Sequence, residues 1–485
     1  MQLSVQARPA AAAVPAFACK AVLSIAGVVA LVQLVCGAIG GYWFDEAYML
    51  AIGRRHLEWG SADQPPIAPA LAAAMDWLAP GSLVALRVPA VLATAAAVVV
   101  AALIAREFGG DRRAQILTAG AQATALWFTM DGHWLTPYTL EPVQWLLLIW
   151  LLVRWIRASA DGLLLAIGVV AGIAAETKFQ VILLCAVLLV TVAILGPREL
   201  LRRPMLWAGI GIGLILALPT LLWQARNGWP QLHMSSVLVA EANELYGGRS
   251  GIAVGLISMA GIAGMVLALY GVWRLLRADE LRPYRFAGVT AVVLYFFFVA
   301  TAGRPYYLGG CYGVLFAAGA LGFQRRRLAG GRRGWVAWPA YALSIAGAAG
   351  MLVLSVQSAK TDAPQQIVRL ATTAYDAIPV PDRESTVIVG QSYIVAAYLD
   401  VYSAGLPPAY STNRSYGYFP LPPDSARSVL YIGTAPDELR GYFGSCRRLL
   451  GDRTDLGTDQ EAWLCGDRRE PWSEFWPTLR HLNMT

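Results

Sequence analysis

The chain has 485 residues, 57% of them hydrophobic and only 14% charged, a balance too apolar for an ordinary soluble protein. Long uncharged runs recur along most of its length, so the sequence reads as an all-α polytopic membrane protein. The formal net charge of +7 resides in short clusters between those runs, such as Arg325-Arg326-Arg327 and Arg332-Arg333. Clusters of that kind are orientation signals and not a nucleic-acid surface.

Residues 1–18 are rich in Ala and Pro and read as loose, with no cleavable signal peptide, and residues 1–20 form a cytoplasmic segment. The first apolar stretch spans about 21–41, and Arg8 and Lys20 before it place the N-terminus in the cytoplasm. Further spans read at about 84–106, 113–130, 138–156, 162–177, 179–196, 205–223, 252–276, 285–301, 306–323 and 335–356. The total of eleven puts the C-terminus outside. The inside loops then hold Arg106, Arg112 and Arg113; Arg154 and Arg157; Arg198, Arg202 and Arg203; Arg274, Arg277, Arg282 and Arg285; and the arginines from 325 to 333. One missed span would invert every later loop, so this agreement fixes the register.

The first outside loop, 42–83, holds two short amphipathic stretches, Glu46 to Trp59 and Pro66 to Ala79, too short to span. A second long outside loop covers 224–251. Residues 21–358 thus form the membrane unit. From residue 359 the composition turns polar, and 359–485 reads as a small extracytoplasmic α/β domain. Thr386 to Val389, Ile394 to Tyr402 and Ser428 to Ile432 are strand-like, with turns at Pro407-Pro408 and Pro422-Pro423 between them.

Six cysteines show no metal-type spacing. Cys19, Cys36, Cys185 and Cys311 lie in or beside apolar runs and read as packing residues. Cys446 and Cys465 lie in the polar tail and are compatible with a disulfide outside the cytoplasm. The four histidines, His56, His133, His233 and His481, are scattered and make no metal motif. A divalent cation is compatible with the chain, but no ligand spacing requires one.

Polar residues are costly in a bilayer and gather on one side if they serve one site. On this register Asp45 and Glu46, Asp131 and His133, Glu141, Glu176 and Lys178, and Arg304 with Tyr306-Tyr307 all fall at the outer face. Carboxylates, a lysine and an arginine in one cavity suit an anionic lipid head group.

Phe44-Asp45-Glu46-Ala47-Tyr48, followed by Asp63-Gln64-Pro65-Pro66, resembles the first loop of GT-C membrane glycosyltransferases of family 39. That group holds the protein-mannosyltransferase and aminoarabinose-transferase relatives. Met49 and Gln64 stand where that family reads Tyr and His. The likeness continues through Thr136 to Trp145, Ala174 to Phe179, Leu218 to Pro230, Gly303 to Gly319 and Gly390 to Gly417. The resemblance implies a sugar donor on a polyprenyl phosphate and a hydroxyl acceptor on a glycan, lipid or protein outside the cytoplasm, and the abundance of Ala, Gly and Arg points to a bacterial genome and so to a bacterial inner membrane. By it, Asp45 is the base and Glu46 orients Asp45 or a cation. Lys178, Arg304, Arg54 or Arg55, Tyr306 and Tyr307 hold the phosphate, while Glu141, Asp63, Gln64, Asp131 and His133 meet sugar or acceptor. The rival readings are a transporter or flippase of a lipid-linked sugar and a non-catalytic scaffold.

Overall fold

The computed structural model describes residues 14–331, 335, 337–455 and 457–483. The N-terminal segment as far as residue 13, with Arg8, and the pair Arg332 and Arg333 lie outside the described residues. Residues 14–18, expected to be loose, are tied down. Arg106 Nε donates to Pro15 O at 3.0 Å, and the Gln115 side chain brackets Ala16 O and Ala18 N.

Helix α1 (Cys19–Cys36) is followed by α2 (Phe44–Arg55) and α3 (Ile67–Leu78), which occupy the two short amphipathic stretches of the first loop. Then come α4 (Leu83–Glu107), α5 (Arg112–Ala123), α6 (Leu126–Met130), α7 (Pro137–Ala158), α8 (Gly162–Ala175), α9 (Gln180–Leu195) and α10 (Pro204–Arg226). The region read as a second long loop contains α11 (Pro230–Tyr246). Helices α12 (Gly248–Ser258), α13 (Gly261–Arg277), α14 (Arg285–Ala300), α15 (Gly309–Leu328) and α16 (Ala337–Ser358) complete the bundle.

Among the described residues, six helical segments are long and apolar enough to cross a membrane, or seven if the bent pair α12–α13 is one span. Length and composition do not confirm the expected eleven, and three features account for the difference. Helices α8 and α9 have 14 and 16 residues, about 21 and 24 Å at 1.5 Å per residue, short of the ~30 Å hydrocarbon core. The 113–130 run breaks between α5 and α6, and the 252–276 run bends by 92° between α12 and α13. Helix α15 is buried along Gly309–Gly322 and carries three arginines in its last turn, so it crosses the bundle as its central post without the apolarity of a lipid-facing span.

The two breaks meet. Leu126 N donates to Met259 O at 2.9 Å, so the backbone freed at one break pairs with the other. Helices α8 and α10 touch through glycine. A Cβ on Gly168 would stand 2.0 Å from Gly209 O, so only glycine permits this approach.

Helices α4 and α15 run the length of the bundle and define its ends. Arg87 lies near the start of α4 and Glu107 at its end, and α15 begins just after Arg304 and closes on Arg325-Arg326-Arg327. The 25 residues of α4 separate the ends by about 37 Å.

The C-terminal part contains α17 (Ala363–Asp376), α18 (Val380–Arg383), β1 (Thr386–Gly390), α19 (Tyr393–Tyr402), β2 (Ala409–Tyr410), β3 (Ser428–Gly433), β4 (Phe443–Arg453), β5 (Asp459–Arg468) and α20 (Trp472–Phe475). The sheet order is β2-β1-β3-β5-β4, with β1 parallel to both neighbours and β5 antiparallel to β3 and β4. Cys446 and Cys465 face each other across β4 and β5 and form a disulfide. The run Ile394 to Tyr402, expected as a strand, is helix α19 instead. Ser392 caps it by accepting Val395 N, and Ala396, Ala397 and Leu399 are buried. Tyr48, Leu50 and Ile52 of α2 share one apolar core with Leu370 of α17, Leu399 of α19, Ile388 of β1 and Leu430 of β3. The sheet domain is thereby seated on the first-loop helices.

Candidate functional site

The start of α2 sorts the two adjacent carboxylates into different roles. Glu46 is the third helical residue, and its carboxylate reaches back to Trp43 N at 3.0 Å, which closes a capping box. The same carboxylate receives Arg87 Nε at 2.9 Å, Arg87 Nη2 at 2.5 Å and Leu135 N at 3.0 Å. Arg87 also binds Gly37 O and Gly41 O, and both side chains are fully buried. Glu46 is thus saturated, and it anchors α2 to α4 behind the site.

Asp45, rotated about 100° around the helix, points elsewhere. Its Oδ2 accepts from Tyr138 Oη at 3.1 Å, and Tyr138 Oη in turn accepts from Trp43 Nε1 at 3.0 Å. Tyr138 stands there because Pro137 opens α7 immediately before it. Burial pushes the Asp45 carboxyl up to about 6, against the opposing fields of Arg414 and Arg304 and the Tyr138 hydrogen bond, while Asp63 adds to the rise.

An aromatic wall surrounds the pair. Trp43 stacks on Trp134 at 4.2 Å, Trp127 on Tyr306 at 3.9 Å, and Tyr306 lies 5.5 Å from Tyr138. Lys178, just beyond α8, stands 4.5 Å over the Tyr307 ring and 5.3 Å over Tyr306, and its Nζ lies 3.0 Å from Glu141 Oε2. Asp131 is buried beside them. Thr139 donates to its backbone carbonyl, burial drives its carboxyl well above the usual range, and its Oδ1 has no hydrogen-bond partner.

A second group joins the first loop to the C-terminal domain. Asp63 Oδ1 accepts from Tyr48 Oη at 2.8 Å and from Ser415 Oγ at 2.6 Å, and its Oδ2 accepts from Gln64 Nε2 at 3.2 Å. Arg414 Nη1 lies 3.5 Å from Asp63 Oδ2, and Arg414 Nη2 donates to Glu241 Oε1 at 3.1 Å. The other Glu241 oxygen accepts from Arg304.

Of the residues singled out in the sequence, Asp45, Asp63, Gln64, Asp131, Glu141, Lys178, Arg304, Tyr306 and Tyr307 converge. Others are drawn away. Arg54 forms a two-point pair with Asp76 of α3 at 2.8 and 2.7 Å, and Arg55 pairs with Asp400. His133 sits between α1 and α16, 2.7 Å from Gln33 Oε1 and 3.4 Å from Ser355 Oγ. Burial and the charge of Arg87 lower its pKa to about 3, so it is a neutral packing group. Glu176 accepts from Thr220 Oγ1 at 2.5 Å, and its carbonyl accepts Ile67 N, which ties α3 and α10 to α8. Sequence reasoning missed Arg87, Tyr138, Trp127, Glu241, Arg414 and Ser415. Arg87, a charge inside the expected 84–106 span, and Tyr138, a polar group at an expected span end, carried a signal; the others did not.

One cavity of about 600 Å³ is not here. It lies at the other end of the bundle, among Leu117, Leu267, Phe323, Arg326, Arg327 and Tyr341. Among the described residues, no three His, Cys, Asp or Glu side chains stand together to hold a metal ion.

Comparisons with known proteins bear on this geometry. Residues 63–223 match the family model described as dolichyl-phosphate-mannose-protein mannosyltransferase. No curated protein sequence matches the chain. The fold is similar to ArnT from Cupriavidus metallidurans in the apo state, with a TM-score of 0.67, 15% identity and coverage of 96% of this chain and 100% of that one. It is similar to the same protein bound to undecaprenyl phosphate, with a TM-score of 0.63, 15% identity and coverage of 91% and 97%. It also resembles the arabinofuranosyltransferase AftD from Mycobacteria, with a TM-score of 0.54 and 13% identity, over 93% of this chain and 40% of that one. By its family match and its fold, the chain resembles a GT-C membrane glycosyltransferase of the protein-mannosyltransferase and ArnT type.

Proposed function

We propose that this protein transfers a sugar from a polyprenyl-phosphate donor to a hydroxyl acceptor on the extracytoplasmic side of a bacterial inner membrane. The observation that carries the reading is Asp45, a carboxyl with a pKa near 6, held by Tyr138 in a buried site that also contains Lys178 and Arg304. The undecaprenyl phosphate bound by ArnT, a protein of the same fold, supports the donor class.

The chemistry follows from those groups. Asp45 takes the proton from the acceptor hydroxyl as its oxygen attacks the anomeric carbon. The bond from that carbon to the phosphate oxygen breaks, and its electron pair stays on the phosphate. The donor phosphodiester has one negative charge and the departing phosphate gains a second, so nearby cations stabilise the transition state more than the ground state. Lys178 and Arg304 supply that field. A phosphate is already a good leaving group and needs no general acid. A single displacement inverts the anomeric carbon. Glu141 and Asp131 meet sugar or acceptor hydroxyls, while Glu46 positions Asp45 through α2. The disulfide of the C-terminal domain suits an oxidising compartment.

The bent pair α12–α13 is the one observation favouring a flippase, since transporters use broken helices. Its break, however, pairs with the α5–α6 break.

The test uses purified protein in lipid nanodiscs with radiolabelled polyprenyl-phosphate sugars and crude envelope acceptors. Transfer of one sugar with inverted anomeric configuration supports the reading and names the donor. Movement of an intact donor between leaflets without sugar release contradicts it.

A further inference from the structure

Arg414 is placed with unusual care for a residue of the outer domain. Its φ is +48°, a left-handed conformation that side-chain-bearing residues rarely adopt. The neighbours hold it there. Arg414 N donates to His481 O at 2.8 Å, Asn413 Oδ1 accepts Tyr393 N at 3.0 Å, and Ser415 N donates to Tyr48 Oη at 3.0 Å. The outcome is an Arg414 residue only 8% exposed, its guanidinium 4.7 Å over the Tyr393 ring and aimed into the candidate site.

There it meets Arg304, also 8% exposed, with the single carboxylate of Glu241 shared between the two guanidiniums. Sharing leaves donors over. Arg304 Nη1 and Arg414 Nε are buried with no hydrogen-bond acceptor. Unmet charged donors are expensive, and two of them on guanidiniums that share one carboxylate suit an incoming oxyanion with several acceptor oxygens.

We propose that Arg414 and Arg304 form a clamp on the donor phosphate, with Glu241 as the counter-anion that yields to it, so that the C-terminal domain completes the active site. This rests on the polyprenyl-phosphate reading above. Glu241 keeps the guanidiniums paired until the phosphate arrives. As the glycosidic bond breaks and the phosphate gains charge, the second guanidinium adds more to the transition state than to donor binding.

The test measures binding of a polyprenyl monophosphate to the full-length protein in nanodiscs, with monodispersity checked for each variant. Arg414→Gln weakens binding at least tenfold and lowers kcat further, and Arg414→Lys restores part of both. Glu241→Gln tightens binding several-fold, because the competing anion is gone. That opposite sign separates a clamp from a structural cross-link, for which loss of either partner weakens binding. Unchanged binding by Arg414→Gln, or weaker binding by Glu241→Gln, overturns the clamp alone. If the parent protein binds no polyprenyl phosphate, the donor reading falls and the clamp falls with it.

Discussion

The two ends of the helical bundle carry ion pairs in comparable number, but they use them differently. At the arginine end, Arg327 pairs with Asp111, Arg203 with Asp161, and Arg274 and Arg325 with Glu280. Most of these side chains are about a third exposed, Glu107 beside Arg157 being the buried exception, and such an exposed pair contributes at most about 1 kcal/mol, its main role being orientation in the membrane. At the site end, Arg87–Glu46, Lys178–Glu141 and Arg304–Glu241–Arg414 are buried or nearly so. Desolvation there rivals the attraction, so such pairs are weak evidence of stabilisation and stronger evidence of a use. Within the site end a further division appears. Glu46 is satisfied on both oxygens, whereas Arg304 and Arg414 share one carboxylate and leave buried donors unmet, and Lys178 pairs with Glu141 alone. The first pair is scaffold, and the second set is poised for a ligand.

The sharpest break of this contrast is Arg87→Met. It strands the buried Glu46 charge and loses about 3–5 kcal/mol of stability, read as a lowered thermal midpoint in detergent. Asp45→Asn moves stability the other way. The folded carboxyl sits near 6 against an ordinary 3.8, so the folded state favours the protonated form. Ionisation therefore destabilises the fold as pH rises through 6, by up to about 3 kcal/mol. The asparagine variant is more stable than the parent at pH 8 and equal to it below pH 4. For the same reason the parent's transfer rate climbs about tenfold per pH unit below 6 and levels off above. Lys178→Gln, in the poised set, lowers kcat/KM by about 10- to 100-fold in steady-state transfer while the fold persists. Arg327→Gln, at the arginine end, changes stability by less than about 1 kcal/mol and leaves transfer intact.

Much of the contrast was legible in the sequence because it is local. Pro137 and Pro204 open α7 and α10, the arginine clusters close the spans, and the gathering of Asp45, Glu141, Lys178 and Arg304 follows from span register alone. What the sequence hid is long-range. Glu46 looked like a partner of Asp45 until Arg87, 41 positions away, claimed it. Arg414 reaches Asp63 across 351 positions, and no local pattern marks it. His133 looked like a sugar ligand at a span end but packs against Gln33 and Ser355. The β-branched run Ile394 to Tyr402 looked like a strand, yet the Ser392 cap and burial against α2 made it a helix. Helix breaks were hidden as well, since composition registers apolarity and not a 92° bend.

The measurement that tests the central claim most directly is single-turnover sugar transfer by the parent and by Asp45→Asn in nanodiscs, with donor binding followed in parallel. Loss of transfer by about a thousandfold with donor binding retained is the expected result. Equal transfer rates in the two proteins would remove Asp45 as the base and contradict the assignment of this site.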